Sequence, residues 1–208
     1  MTIAQRSNFT TPIAAIWTPK RIVAAAGAGE IHEAGKLFFM TAGALDAAVD
    51  IAAALGSEGS FKSRIAAAVA AIEPGLTDAA QTMHDTSADD FKKQVSGKNA
   101  LDLMIFGISD GEMTLAHIGF KAKKRGKEVV LQPVRKDYPN PATNIMSIEV
   151  LTLGADDSTI ESFRKGTTGQ QALVYPEQAL QKFMQLAGCA QDAETVKLTM
   201  EGATRQPL

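Results

Sequence analysis

The side chains that commonly carry out chemistry are few in this chain, and their spacing forms no familiar catalytic or metal site. Its three histidines, His32, His84 and His117, are widely separated. His32 directly precedes Glu33, so on a strand the two would point to opposite faces and could not easily share a metal ion. We expect His84, followed by Asp85, to lie at a helix end, where the dipole favours a cation. His117 is expected to be a half-buried sheet residue, and no metal site is predicted.

The candidate nucleophiles and phosphate-binding segments are equally isolated. Cys189 is the single cysteine, so it cannot form an intrachain disulfide, and no base is indicated beside it to activate the thiol. Residues 109–112 (SDGE) predict a tight turn. We do not interpret Ser109 as the nucleophile of a serine hydrolase, because the GxSxG pattern of those enzymes is absent. Residues 27–29 (GAG) lack the lysine and the following helix of a phosphate loop. Asp156 and Asp157 are interpreted as the acidic start of a helix, and no cofactor is predicted.

The composition is that of one folded domain. The chain has 208 residues, 45% of them hydrophobic, and its net charge of −2 argues against a nucleic-acid partner. No apolar run approaches the roughly 18 to 20 residues of a membrane helix, and residues 1–9 lack the apolar core of a signal peptide. We therefore expect a cytoplasmic protein with no membrane partner.

The one cluster of cations is interpreted as the solvated tip of a β-hairpin: Lys121, Lys123, Lys124, Arg125 and Lys127.

The first part of the chain alternates between strand and helix patterns. Residues 13–17 and 21–26 are two apolar runs around a proline turn, which predicts a β-hairpin, and residues 36–41 predict a strand buried on both faces. Helical spacing follows from Leu45 to Gly56.

A longer helix is predicted to begin at the N-cap Ser60, and its apolar face continues to Met83. Pro74, followed by glycine, is expected to kink or divide this helix. One more short helix is predicted around Phe91.

The second part of the chain returns to strands. Residues 101–108 and 113–121 flank Asp110-Gly111, the strongest hairpin signal in the sequence. Residues 128–135 and 145–153 predict two further strands, joined by a proline-rich loop.

Two helices and a closing strand complete the predicted elements. Residues 158–161 (STIE) match a capping box, and Pro176 is placed to open the last helix. Residues 196–200 alternate as a closing strand. The fold class predicted is therefore α+β, with two sheets sandwiched between helical layers so that all apolar faces are buried.

Four segments, taken in order, carry a resemblance to a known family. They resemble the opening hairpin, the next strand, the mid-chain hairpin and the closing strand of the proteasome β-subunit-like N-terminal-nucleophile (Ntn) hydrolases, in particular uncharacterised bacterial relatives. The segments are residues 12–26 (PIAAIWTPKRIVAAA), 31–43 (IHEAGKLFFMTAG), 103–111 (LMIFGISDG) and 196–203 (VKLTMEGA). The resemblance spans roughly residues 10–205. It implies a four-layer αββα sandwich over residues 1–208, with residues 1–9 as a flexible N-terminal extension.

The resemblance also implies a nucleophile near the start of the first strand. In active members a threonine, serine or cysteine becomes residue one by self-cleavage, and its free α-amine accepts the side-chain proton. That position falls on Thr10 or Thr11, with Pro12 also possible. Thr10 follows Phe9, whereas self-cleavage in the family usually follows glycine.

The two charged positions of the family are not matched. The aspartate position falls on Ala26 or Gly27, and the lysine position falls on Glu30. A carboxylate at Glu30 would raise the pKa of a nearby ammonium, which is the wrong direction for a base. We therefore expect these candidate catalytic positions to be inactive.

Three functional hypotheses follow. The first is a non-catalytic, proteasome-subunit-like protein that associates with itself or with another subunit through helical faces, including the alanine-rich helix after Ser60. The second is a self-processing threonine peptidase or amidohydrolase with Thr10 or Thr11 as nucleophile. The third is a small-molecule binding module that uses the remaining cleft.

Overall fold

A computed structural model describes residues 11–27, 31–46, 49–139 and 149–208. The strands are β1 (Ile13–Thr18), β2 (Arg21–Ala26), β3 (His32–Ala34), β4 (Leu37–Gly43), β5 (Asn99–Ser109), β6 (Glu112–Arg125), β7 (Glu128–Tyr138), β8 (Glu149–Leu153), β9 (Glu194–Thr199) and β10 (Gly202–Pro207). The helices are α1 (Ile51–Leu55), α2 (Phe61–Thr86), α3 (Ala88–Gln94), α4 (Asp157–Gly166), α5 (Gly169–Val174) and α6 (Pro176–Leu186). The proposed extension, residues 1–9, lies outside the described residues.

The strands form two antiparallel sheets, which confirms the prediction of an α+β protein with two such sheets. The first sheet has the order β10-β9-β2-β1-β8, and the second has the order β3-β4-β5-β6-β7. Helices α1 to α3 connect β4 to β5, and helices α4 to α6 connect β8 to β9. Each sheet therefore combines strands from distant parts of the chain.

Among the described residues, the buried side chains form three hydrophobic clusters. The central cluster joins the two sheets, with Trp17 on one side and Phe106 on the other. The second packs α2 side chains, including Ile72, against the other face of the second sheet. The third packs Phe183 of α6 against the other face of the first sheet, including Ile16. The residues of β1 point alternately into the first and third of these clusters, so this strand is buried on both faces.

The two predicted hairpins are present. In β1–β2, Ile13 pairs with Ala26 and Thr18 with Arg21. Between β5 and β6, Asp110 and Gly111 both have positive φ, 54° and 79°. Positive φ at both central residues is the geometry of a type I′ turn, which matches the twist of the flanking strands.

The basic cluster lies where it was predicted, at the far end of the β6–β7 hairpin. Lys123, Lys124 and Arg125 are exposed, and Gly126 supplies the turn with a φ of 65°. Lys123 donates to Gln132 across the hairpin at 2.6 Å. Solvation accounts for this concentration of charge.

The long helix α2 is continuous through Pro74, so of the two expected outcomes, a kink or a division, the division is wrong. Ser60 caps it as predicted, accepting from the Ser63 N–H. Ile72 and Leu76, on either side of the proline, are both fully buried. Packing of this face against the second sheet outweighs the one backbone hydrogen bond that a proline removes.

The preceding helix is shorter than its sequence pattern indicated. Helix α1 begins at Ile51 instead of Leu45, with Asp50 as its N-cap accepting from the Ala53 N–H. The predicted end at Gly56 is correct, and this residue has a φ of 62°. The N-cap, and not the apolar pattern from Leu45, determines where the helix starts, because an aspartate side chain satisfies a free N–H group at a helix start.

The capping box predicted at residues 158–161 is also wrong. Helix α4 is capped by Asp156, which accepts from the Thr159 N–H, and Ser158 lies in the first turn. A genuine capping box occurs at α5, where Thr168 and Gln171 exchange side-chain and backbone hydrogen bonds. Helix α5 was not predicted from the sequence.

The chain ends in a strand that the sequence pattern did not predict. Strand β10 pairs with β9 and forms an edge of the first sheet. Its Arg205 donates to the Ile31 carbonyl at 2.9 Å and lies 5.5 Å from the centre of the Phe38 ring. Arg205 also pairs with Glu194 at 3.1 Å. The contacts with Ile31 and Phe38 connect the β10 edge of the first sheet to the β3 side of the second.

Candidate functional site

The start of β1 and the end of β2 bring part of the predicted site together. Thr11 lies just before β1, and the Gly27 N–H donates to the Pro12 carbonyl at 2.9 Å. The nucleophile and aspartate positions implied by the resemblance are therefore neighbours across the hairpin. Thr10 and Glu30 lie outside the described residues, so the lysine position has no described geometry.

The space beside Gly27 is occupied. A Cβ atom at this position would lie 3.0 Å from Sγ of Cys189 and 3.2 Å from Cδ of Pro12. Ala26 is fully buried in the cluster between the two sheets. A carboxylate at position 27 would be crowded, and one at position 26 would be desolvated, which disfavours its charged form.

The proximity of Cys189 to this site is not visible in the sequence. Cys189 follows α6 and packs against Met184, with its Sγ 3.6 Å from the Met184 carbonyl. Burial raises the pKa of the Cys189 thiol, and the nearby negative charge of Asp192 raises it further. The thiolate is the reactive form, so the environment supports the interpretation of Cys189 as an unactivated thiol.

The residue that follows strand β8 lies next to Thr11, at the same end of the molecule. Gly154 follows β8 with a φ of 76°, and a Cβ atom there would lie 2.4 Å from the Thr11 carbonyl oxygen and 3.0 Å from Cβ of Ala42. Only glycine fits this position, since both the conformation and the space exclude a side chain. Thr11, Gly154 and Ala42 are thus in close contact.

An inner-face polar cluster, defined as Asn99, Asp102 and His117, begins beside Ala42. Asp102 pairs with Ala42 across β4–β5, and Ala42 belongs to the core between the sheets. Nε2 of His117 lies 2.7 Å from Oδ1 of Asp102, and Asn99 donates to the same oxygen at 2.6 Å. The side chains of His117 and Asp102 are 12% and 14% exposed.

The hydrogen bond to Asp102 determines which ring nitrogen of His117 is a donor and which is an acceptor. An ionised carboxylate only accepts, so the imidazole holds a proton on Nε2 and leaves Nδ1 as an acceptor in its neutral form. His117 is a half-buried sheet residue, as predicted. Its partners Asp102 and Asn99 were missed, because only the strand register brings them to it.

The remaining histidines make local contacts. His32 and Glu33 are both exposed, and His32 stacks on Phe39 with 5.1 Å between ring centres. His84 lies near the end of α2 as predicted, with Nδ1 3.0 Å from Oδ1 of Asp85. Hydrogen bonds from His84 and then Gln81 lower the pKa of Asp85. In the described part of the chain, no group of three or more His, Cys, Asp or Glu residues is arranged to hold a metal ion.

Asp156 is confirmed as acidic charge at a helix start. Hydrogen bonds from the Ser158 hydroxyl, the Thr159 N–H and the Thr159 hydroxyl lower its pKa to about 2. These contacts satisfy the carboxylate within the cap itself, and its neighbour Asp157 lies in the first helical turn.

Comparison with known proteins adds no relative. Neither a protein-family model nor a curated protein matches the chain. Within the described residues, none of the helices has the length and hydrophobicity needed to cross a membrane.

Proposed function

We propose that the chain is a proteasome-subunit-like protein of the Ntn fold that acts by association and not by hydrolysis. The order of the hydrophobic clusters supports this fold. Helices α1 to α3 cover the second sheet, the two sheets share the central cluster, and helices α4 to α6 cover the first sheet. This is the order of layers in an αββα sandwich, the architecture that the sequence resemblance implies.

The single observation that carries the non-catalytic proposal is the packing beside Gly27. Active members need a carboxylate there to orient the charge that assists the nucleophile. Here Cys189 and Pro12 fill the space, and the Cys189 thiol is held in its protonated form by burial. A preorganised charge contributes to catalysis only when it is already in place, so Thr11 lacks that assistance.

Association is supported by apolar side chains exposed on the helices that cover the first sheet. Tyr175, Val174, Leu173 and Leu186 of the α5–α6 region are 55%, 48%, 42% and 42% exposed. Arg21 donates to the carbonyls of Leu173 and Val174, both at 3.2 Å, which fixes the segment between the two helices. Large apolar and aromatic side chains held in place on a surface are typical of protein interfaces.

Sedimentation velocity of the purified chain tests this proposal. We expect a complex larger than a monomer that Tyr175→Glu dissociates, because a charge there would be buried at the interface. Val134→Glu is the matched control, since Val134 is 46% exposed and lies on β7 of the second sheet, which α5 and α6 do not cover. A monomer at all concentrations, or equal effects of the two changes, would contradict self-association through this surface.

The same preparation distinguishes the hydrolase alternative. The intact mass is expected to match a chain that starts at Met1, and no turnover of fluorogenic peptides is expected. A processed N-terminus at Thr10 or Thr11, with turnover abolished by Thr11→Ala or Thr10→Ala, would establish a self-processing peptidase instead.

The inner-face polar cluster favours the third hypothesis, a small-molecule binding module. Asp102 of this cluster pairs with Ala42, which lies beside Gly154, and His117 in its neutral form has an acceptor at Nδ1. Thermal stabilisation by a small amide or peptide that is lost in Asp102→Asn would support this alternative over association alone.

A further inference from the structure

A cavity lies on the face of the first sheet that helices α4 to α6 cover. It has a volume of about 210 Å³ and is formed between β8 and the connection from α4 to α5. β8 is an edge strand of its sheet, so the cavity opens at that edge. Its walls include Val150, Phe163 and Ala172, and the last two are almost completely buried.

One residue of the cavity wall has a polar atom without a partner. The Thr167 hydroxyl is buried and makes no hydrogen bond within the described part of the chain. Thr152, also in the wall, is only 9% exposed. Buried hydroxyls are normally hydrogen-bonded, because an unpaired one loses its bonds to water without replacement. A ligand that reaches Thr167 would supply the missing partner.

The rim of the cavity is positively charged. Arg164 lines it and is exposed, and no hydrogen bond or ion pair joins it to another described residue. The next residue, Lys165, is instead paired with Glu161 at 2.7 Å. None of the residues lining the cavity is acidic. An unpaired guanidinium beside an apolar wall favours a ligand with one anionic end.

We propose that this cavity binds a small organic monocarboxylate. The carboxylate lies between Arg164 and the Thr167 hydroxyl, and the apolar body contacts Val150, Phe163 and Ala172. The volume equals that of about seven water molecules at about 30 Å³ each, so it suits a ligand with about seven non-hydrogen atoms. Binding at this site does not require the proposed association.

Isothermal titration with 3-methylbutanoate tests the proposal, with 3-methylbutanamide as its neutral counterpart. We expect saturable binding of the carboxylate and at least tenfold weaker binding of the amide. Arg164→Gln should weaken carboxylate binding at least tenfold. Lys165→Gln, which removes the adjacent charge outside the cavity, should leave the affinity unchanged.

Thr167→Val separates binding from folding. Thr167 has an extended backbone, φ −139° and ψ 112°, which valine also adopts readily. The variant should keep or raise the melting temperature, because it removes the unpaired hydroxyl, and should bind 3-methylbutanoate at least tenfold more weakly. Absence of saturable binding to the original chain, equal affinity for the amide, or unchanged affinity in Thr167→Val would each overturn the proposal.

Discussion

At the scale of single residues, the packing around Gly27 explains the missing carboxylate at this position better than the amino-acid composition of the chain does. The nearest atoms to a Cβ at this position belong to Cys189 and Pro12, at 3.0 and 3.2 Å. The size of Cys189 therefore limits the side chain that fits at position 27. Replacing one residue cannot restore a carboxylate without moving the other.

We predict that Gly27→Asp destabilises the protein by about 1–3 kcal/mol, the usual cost of overpacking. In a Cys189→Ala background the cost should be smaller, because the Sγ contact is removed. A double-mutant cycle from urea unfolding measures the coupling between the two positions. Additive effects would show that Cys189 does not limit the space at Gly27.

At the scale of elements, Arg64 joins α2 to two other parts of the fold. It is only 7% exposed and donates through Nε to the Leu55 carbonyl at 3.0 Å and through its guanidinium to the Ala34 carbonyl at 2.8 Å. It also donates to the Gly56 carbonyl. Desolvation lowers its pKa. The free carbonyls at the end of α1 are thus satisfied by a side chain of the next helix.

We predict that Arg64→Met lowers the free energy of unfolding by about 3 kcal/mol, because it leaves buried carbonyls without a donor. Lys62→Met is the matched control, since Lys62 is exposed in the first turn of the same helix. Its effect should stay within about 0.5 kcal/mol. Chemical denaturation measures both. Equal effects would show that the Arg64 hydrogen bonds contribute little.

The elements that the sequence predicted depend on neighbouring residues. The Ser60 cap, the turn at Asp110-Gly111 and the opening of α6 at Pro176 each require only a few consecutive side chains. Such local preferences act before the tertiary fold is known, so they are visible in the sequence.

The features that the sequence did not predict depend on distant pairing. The contact of Gly27 with Cys189 and the hydrogen bond of His117 with Asp102 exist only after the sheets are assembled. Strand β10, with six exposed residues, has no buried face to produce an apolar pattern. The hairpin pattern predicted that the residues around Thr11 and Gly27 lie side by side, but it did not predict that Cys189 packs against Gly27.

At the scale of the whole molecule, the central cluster makes the two sheets dependent on each other. Trp17 is 3% exposed, and its Nε1–H donates to the Met113 carbonyl of the second sheet at 3.0 Å. Phe106 is fully buried in the same cluster and stacks on Phe38 with 5.4 Å between ring centres. If either sheet unfolded alone, the other would expose one complete apolar face.

We therefore predict that the protein unfolds in one cooperative step and that Phe106→Ala shifts the whole transition. The substitution should cost about 4 kcal/mol, because it leaves a cavity shared by both sheets. Trp17, the single tryptophan, reports on the contact between the sheets, while circular dichroism reports on all helices and strands. The two signals should change at the same denaturant concentration in both proteins. Met200→Ala, at an exposed turn position, is the control and should leave both midpoints in place. Separate midpoints, with tryptophan emission changing first, would mean that the sheets separate before the helical layers unfold and that the outer clusters hold each sheet independently.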